Sequence, residues 1–269
     1  MLQPTVWTQL ARIKHERILG SIRTIIRVNH LPPLSVIMHQ AGNTVSQLKP
    51  SAKHFYMGGT RCFGVAVKLI LEGKIIAIPT DTVYGLATLA QNTQSVKKLY
   101  ELKGRDANKP VAICLSCVKE IKHWAELDHL PPPLIVSLLP GPVTVVLKRK
   151  PKLNANLNPG IDTVGIRVPQ SKFIRTLCQA VGQPIALTSA NSSGDQSSFH
   201  PDEFTHLWRD LGGIFYSNPD KQKTKECRRV GSTIVDLSEQ SKYKIIREGI
   251  GYENTLRLLH KYGLQKRDE

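Results

Sequence analysis

Within one short polar segment, KGRDANKP, the sequence places the three cations Lys103, Arg105 and Lys109 just after a predicted helix. Small hydroxyl and amide side chains occur in two other segments, Ile78–Gly85 and Thr188–Asn191, each with an apolar run before or within it. Cations combined with short, rigid donors are what a polyphosphate needs, because they neutralise its charge and fix its oxygens. The alternative for the cations alone is a solvated helix end that complements the helix dipole. That alternative explains one segment and leaves the other two without a role.

A further cation, Arg167, lies inside an apolar run that predicts a strand over Val164–Val168. Burying an unpaired guanidinium there would be costly. Its planar fork suits a carboxylate, which could belong either to a ligand or to an acidic side chain elsewhere in the chain. We favour a ligand carboxylate.

Several catalytic and metal-binding classes have no signal in the sequence. It contains no G-x-S-x-G elbow, no H-E-x-x-H pair and no Walker A loop. Cys114 and Cys117 form a C-x-x-C pair, but no second Cys or His pair follows at zinc-site spacing. We therefore predict no protein metal site. The five cysteines lack a framework spacing, and thiols without disulfides indicate a reducing compartment.

Composition indicates one large globular domain with an appendage. The chain has 269 residues, 41% of them hydrophobic, and a formal net charge of +16. No uninterrupted apolar stretch reaches the roughly 20 residues of a spanning helix, so we do not expect an integral membrane protein. The positive charge favours anionic partners, either phosphorylated small molecules or nucleic acid.

Residues 1–56 differ from the rest of the chain. Glu16 is their one acid, and arginines alternate with isoleucines at helical spacing. This pattern predicts a mitochondrial presequence followed by a linker, and the alternative is a disordered basic tail with no address. We expect a catalytic domain over 57–265, a tail over 266–269, and a cytoplasmic or mitochondrial location or both.

The remainder of the chain alternates helix and strand signals. We predict the fold class α/β, as a single domain whose mixed, twisted sheet is flanked by helices around a basic cavity. The triple proline Pro131–Pro133 predicts a rigid external loop, and residues 218–229 a charged loop. Predicted helices cover 62–71, 95–102, 171–181 and 253–262, and predicted strands cover 74–78, 111–115, 143–147, 164–168, 185–187, 232–236 and 244–247.

Seven segments in order resemble the YrdC/Sua5 family of threonylcarbamoyl-adenylate synthases, and the short animal form most closely. They span roughly residues 61–255, and seven matches in sequence are far more specific than one. The segments are PTDTVYGLA (79–87), KGRDANKP (103–110), LPGPVTVVL (139–147), VGIRVP (164–169), LTSAN (187–191), GSTIVD (231–236) and IREG (246–249).

The resemblance implies a nucleotidyltransferase that joins L-threonine, bicarbonate and ATP into threonylcarbamoyl-AMP and releases pyrophosphate. It implies Mg²⁺ as the companion of ATP, held mainly by phosphates and water. It also implies a functional link to a separate transferase complex, which modifies adenosine 37 (t6A) of tRNAs reading ANN codons.

The resemblance also implies roles for individual residues. Catalysis would fall to Lys103, Arg105, Ser189 and Asn191. ATP would contact Arg105, Lys109, Thr163, Ser189, Asn191, Ser197 and Arg247. Threonine would contact Thr82, Arg167, Leu187, and Thr233 or its neighbour Ser232, with Arg167 taking the α-carboxylate. Tyr84 is either a wall of this pocket or part of the core.

The sequence departs from the family pattern at Cys114, where many members carry histidine, and at Asp106, which often is proline. Asp195–Ser198 and the N-terminal segment are candidate covers of the site. The main alternative function is an RNA-binding module of the same fold without catalysis, and weak RNA binding beside catalysis is a further expectation. Against the module, aromatic residues make up only 6% of the chain. A second alternative is a carbamoyl-transferring relative, but such proteins carry extra zinc-binding cysteine pairs that this sequence lacks. A third is a catalytically inactive scaffold, which would not need the intact sets Lys103/Arg105/Lys109 and Ser189/Asn191.

Overall fold

The computed structural model describes residues 53–57, 60–104, 110–192, 195–217 and 229–267. In this part of the chain eleven strands form one sheet, in the order β1-β8-β2-β3-β7-β4-β6-β5-β9-β10-β11. Parallel and antiparallel pairs alternate irregularly, so the sheet is mixed, as predicted. The strands are β1 His54–Tyr56, β2 Ile76–Pro79, β3 Tyr84–Leu89, β4 Ala112–Cys114, β5 Val143–Lys148, β6 Thr163–Arg167, β7 Ile185–Ser189, β8 Gly213–Tyr216, β9 Thr233–Asp236, β10 Lys242–Arg247 and β11 Gln265–Lys266.

Helices lie between these strands, and their ends follow local sequence signals. The α-helices are α1 Thr60–Leu71, α2 Thr93–Lys103, α3 Pro132–Leu138, α4 Lys172–Val181 and α5 Tyr252–Lys261, with 3-10 helices at Val118–His123 and Pro201–Asp210. The Asn92 side chain caps α2 by accepting from the Ser95 backbone N–H at 3.0 Å. Gly104 ends α2 at φ 52°, a conformation that glycine adopts without a steric cost.

The alternation of side chains along the strands separates the two faces of the sheet. On one face, Ala77, Ile113, Val145, Ile166 and Val235 belong to a large hydrophobic core. On the other face, α1 and α4 pack together over a second core that includes residues from β2, β3, β7 and β8. This second core covers only part of its face, which leaves β6, β5 and β9 open to a pocket.

The structure corrects two predictions of local structure. Pro131–Pro133 is not a loop, because Pro131 is the N-cap and the next two prolines begin α3. Proline suits the first turn of a helix, where its missing N–H has no intrahelical partner. Strand β3 is missing from the predicted strands, yet it runs from Tyr84 to Leu89 and is buried along its whole length.

The sheet also extends beyond the predicted domain limits. β1 pairs in parallel with β8 and starts three residues before position 57, and β11 ends one residue after position 265. Several predicted features lie outside the described residues. They are residues 1–52 of the predicted presequence and linker, residues 218–228 of the charged loop (which include Cys227), and Asp106. Among the helices that the structure describes, none is long and apolar enough to cross a bilayer.

Candidate functional site

A cavity of about 340 Å³ lies on the open half of the sheet. Its floor consists of alternate residues of β4, β6, β5 and β9, namely Ala112, Gly165, Thr144 and Ile234. A Cβ atom on Gly165 would come to 3.0 Å from the Thr144 methyl group, so the floor of the cavity has little room for a side chain at this position. The volume falls in the range of small-molecule sites. The cavity therefore has space for a ligand on a floor of small side chains.

One end of the cavity is built around Arg167, at the end of β6. The Arg167 side chain is 8% exposed, and its Nη2 donates to Asp81 Oδ1 at 2.6 Å and to Thr82 Oγ1 at 3.3 Å. Its Nε is buried without a hydrogen-bond partner among the described residues. Thr80 stabilises the turn that carries Asp81, because its hydroxyl accepts from the Thr82 backbone N–H at 3.0 Å and donates to Val83 O at 2.7 Å. One edge of the guanidinium is thus fixed by the protein.

The side-chain carboxylate considered from the sequence is therefore present, in Asp81. This ion pair does not by itself exclude a ligand carboxylate, because it occupies Nη2 and Arg167 still lines the cavity. Asp81 was not among the predicted site residues, since it lies 86 positions from Arg167 in the sequence.

At a second side of the cavity, Lys103 contacts the loop after β7. Lys103 is 4% exposed, and its Nζ donates to Ser189 O at 2.8 Å, to Asn191 O and to Asn191 Oδ1 at 3.2 Å. The Asn191 amide nitrogen donates in turn to Ser192 O and Asp195 O. These bonds join the end of α2 to the segment at the end of β7, and the sequence predicts that these two segments contribute to one site.

Arg247 lies across the cavity from Arg167, beyond β5 and β9. Its Nε and Nη2 donate to Ser232 O at 3.1 and 2.8 Å, and Nη2 also donates to Ser232 Oγ at 3.2 Å. Partial burial and the positive charge of Arg167 lower the pKa of Arg247. Two guanidinium groups that repel each other across a cavity favour an anion between them.

Apolar side chains line the cavity near Arg247. Val146, Ile234 and Ile246 lie there, and Ile246 is 54% exposed. The strand pairing shifts register between Ile245 and Arg247, which places a bulge at Ile246. The sequence did not predict this apolar surface, because a bulge reverses the alternation from which the face of each side chain is inferred.

The structure brings most of the predicted site residues to this one cavity. Those that line it are Thr82, Lys103, Thr163, Arg167, Leu187, Ser189, Asn191, Ser197, Ser232 and Arg247. Ser232 lines it and Thr233 does not; the Thr233 side chain is fully buried, with a hydroxyl that has no partner among the described residues. Arg105 and Lys109 lie outside the described residues.

Two residues left open by the sequence have clear positions. Tyr84 both lines the cavity and belongs to the core, where its ring packs 5.8 Å from that of Phe204. Cys114 is fully buried in the second core, and burial raises the pKa of its thiol to about 12. Cys114 is not among the residues that line the cavity, so its thiol does not take the place of a ligand-facing histidine.

Acidic side chains are scarce at the cavity. Among the described residues that line it, Asp236 is the one carboxylate, and Arg267 contacts it at 3.2 Å. No group of three or more His, Cys, Asp or Glu side chains in the described part of the chain is arranged to hold a metal ion.

Comparisons with known proteins agree with these features. Residues 68–249 match the Sua5/YciO/YrdC family model, which carries the description "Telomere recombination". The threonylcarbamoyl-AMP synthases of Bos taurus and Homo sapiens are each 42% identical over 77% of this chain, covering 75% and 74% of their own lengths. A crystal structure of Pyrococcus abyssi Sua5 complexed with L-threonine superposes with a TM-score of 0.68 and 27% identity, over 80% of this chain. The present chain spans 62% of that Sua5 chain.

Proposed function

Because the chain belongs to the Sua5/YciO/YrdC family, we propose that it is an enzyme that makes L-threonylcarbamoyladenylate for tRNA modification. The observation that carries this proposal is the convergence of Lys103, Arg167 and Arg247 with small hydroxyls on one cavity. These cations come from α2, β6 and β10, so only the folded chain brings them together. The synthase relatives match this chain over most of their own length.

The reaction consumes L-threonine, bicarbonate and ATP, and yields the adenylate, pyrophosphate and water. The threonine nitrogen is carboxylated, and an oxygen of the resulting carbamate attacks the α-phosphorus while pyrophosphate leaves. Both reacting groups are anions, so the protein lowers the barrier by holding them together and offsetting their charge. No protein nucleophile is required, which agrees with a cavity lined by hydroxyls and cations.

Threonine binds at the Arg167 end in this proposal. The part of the Arg167 guanidinium that lines the cavity takes the α-carboxylate, and Thr82, Ser232 and the Leu187 backbone complete the amino-acid pocket. The Sua5 structure that contains L-threonine supports threonine as the substrate of this family. Bicarbonate supplies the carbamate carbon and reacts at the threonine nitrogen.

ATP binds toward Lys103 and Arg247 in this proposal. Lys103, Ser189 and Asn191 neutralise and position the phosphates, with Arg105 and Lys109 predicted to join them. Thr163, Ser197 and Arg247 contact the rest of the nucleotide. Mg²⁺ enters with ATP, coordinated mainly by phosphates and water, because Asp236 is the one carboxylate among the described lining residues.

The alternative, an RNA-binding module without catalysis, has less support. The synthase relatives are named for an activity, and most of the polar residues that the family resemblance implies for this activity line one cavity. Weak RNA binding, transfer to a tRNA-modifying complex and a mitochondrial or cytoplasmic location stay predictions.

Purified full-length protein tests the proposal directly. Pyrophosphate release and the mass of the adenylate are measured with all three substrates and with each omitted in turn. We expect product only when all three are present, and its loss in Lys103→Ala. Lys98→Ala is the matched control, because Lys98 lies exposed on the same helix outside the cavity lining. Absent turnover with retained salt-sensitive RNA binding would favour the RNA-binding module.

A further inference from the structure

The turn between β2 and β3 carries a carboxylate that does not line the cavity. Thr80, Thr82 and Val83 line it, whereas the Asp81 side chain is turned away and is 7% exposed. A buried carboxylate needs partners, because removing its charge from water is costly. Asp81 has two: Oδ1 accepts from Arg167 Nη2 at 2.6 Å, and Oδ2 accepts from the Gln170 backbone N–H at 2.8 Å.

These two bonds join three parts of the site. Asp81 belongs to the turn after β2, Arg167 ends β6, and Gln170 precedes the Ser171 cap of α4. The turn is itself fixed by the Thr80 hydroxyl. A charge-assisted bond of 2.6 Å to a fixed turn restricts the rotation of the Arg167 guanidinium.

The bond to Asp81 decides which nitrogen of the Arg167 guanidinium a ligand can contact. Nη2 is committed to Asp81 and Thr82 and Nε is buried, so Nη1 is the guanidinium nitrogen left to face a ligand carboxylate in the cavity. Asp81 also compensates the charge of Arg167, so this end of the cavity recognises a carboxylate by geometry more than by net attraction.

We infer that Asp81 is a positioning residue that orients Arg167 toward the α-carboxylate of the amino-acid substrate. This inference rests on the proposed function. Asp81 acts through Arg167, so its removal weakens binding of a ligand that has the carboxylate and leaves other ligands unaffected.

Calorimetric titration of the full-length protein tests the inference without turnover. The ligands are L-threonine, L-threonine amide, which lacks the carboxylate, and ATP with magnesium. In Asp81→Asn we expect the dissociation constant of L-threonine to rise about tenfold or more, as loss of an orienting charge-assisted bond implies. The constants for the amide and for ATP should change less than about twofold, since neither depends on this bond.

Two further variants complete the design. Asp81→Glu keeps the charge but is one methylene longer, so it displaces Arg167 and should also weaken L-threonine binding selectively, even where the asparagine variant fails to fold. Glu72→Gln is the control, because Glu72 pairs with Lys68 outside the cavity lining and should leave all three constants unchanged.

The outcomes separate this inference from the proposed function. Unchanged L-threonine binding in both Asp81 variants would overturn the inference, and so would equal weakening of L-threonine, its amide and ATP. Adenylate formation by the wild type is measured in parallel. Wild type that binds L-threonine but forms no adenylate would contradict the proposed function and leave the inference standing.

Discussion

Arg167 and Arg247 reach the same cavity from either side of β5 and β9, and their surroundings differ. Arg167 is buried and donates to the carboxylate of Asp81. Arg247 is partly exposed and donates to neutral oxygens of Ser232. The first cation is compensated and held in one orientation, whereas the second retains a net charge near solvent. We therefore expect Arg167 to select its ligand by shape and Arg247 to attract its ligand by charge.

The largest expected effect concerns selection at the Arg167 end. A pocket that hydrogen-bonds the threonine hydroxyl should reject valine by about 10⁴-fold in kcat/KM, because a buried polar partner would be left unpaired. Serine lacks only a methyl group, so its kcat/KM should fall by about 10- to 200-fold. Steady-state adenylate formation with the three amino acids measures both ratios. Comparable kcat/KM values for valine and threonine would rule out a pocket that reads the hydroxyl.

The two arginines should also differ in their contribution to stability. Arg167→Met leaves Asp81 buried without its counter-charge and should lower the free energy of unfolding by about 3–5 kcal/mol. Arg247→Met removes an exposed side chain from neutral partners and should cost about 1 kcal/mol or less. Urea unfolding followed by circular dichroism compares the two. Similar losses in both variants would show that the two arginines do not differ in how the protein compensates their charge.

A smaller effect is expected from the charge of Arg247. Arg247→Gln should raise the KM for ATP about tenfold at low salt, because a charge-assisted contact to an anion is lost. Its KM should also depend less on ionic strength than that of wild type, since an exposed charge is screened by salt. Activity measured from low to high sodium chloride tests this. A salt dependence identical to wild type would exclude a long-range role for Arg247.

The smallest expected effect lies beneath the ion pair, at Cys114. Burial raises the pKa of this thiol to about 12 from the ordinary 9.0, with opposing contributions from Arg167 and Asp81. Above pH 9 the unfolded chain loses a proton that the folded chain keeps, so stability is full below pH 9 and falls as the pH rises toward 12. At pH 9.5 we expect Cys114 to account for about 1 kcal/mol of this loss.

Urea unfolding at pH 7.5 and 9.5 measures that contribution, as the difference between wild type and Cys114→Ala. The alkaline loss of stability should be smaller in the variant. Equal losses in the two proteins would show that the thiol titrates alike in the folded and unfolded chain.

Local sequence signals predicted most elements that position the site. Ser171 and Gly182 bound α4 in the structure, where the sequence predicted a helix over 171–181. The position of Arg167 within an apolar strand predicted that its guanidinium needs an anionic partner, and Asp81 is such a partner in the structure. These features depend on neighbouring residues, so they can be read from a single sequence.

Long-range pairing could not be read in this way. Asp81 and Arg167 are brought together by the order of strands in the sheet, and nothing in their own segments specifies it. The bulge that turns Ile246 toward the cavity depends on how β10 pairs with β9. The edge strand β1 and its neighbour β8 are too short for a pattern of alternation, so the predicted domain start fell after β1.

A crossed binding experiment tests the central claim, that the two arginines serve different substrates. Arg167→Lys keeps a charge beside Asp81 but loses the planar fork, and Arg247→Lys is the matched exchange. Calorimetry gives the dissociation constants of L-threonine and of ATP with magnesium for each protein. We expect Arg167→Lys to weaken L-threonine binding alone, with ATP binding kept in both variants. Weaker L-threonine binding in Arg247→Lys, or equal loss of both ligands in Arg167→Lys, would contradict this account.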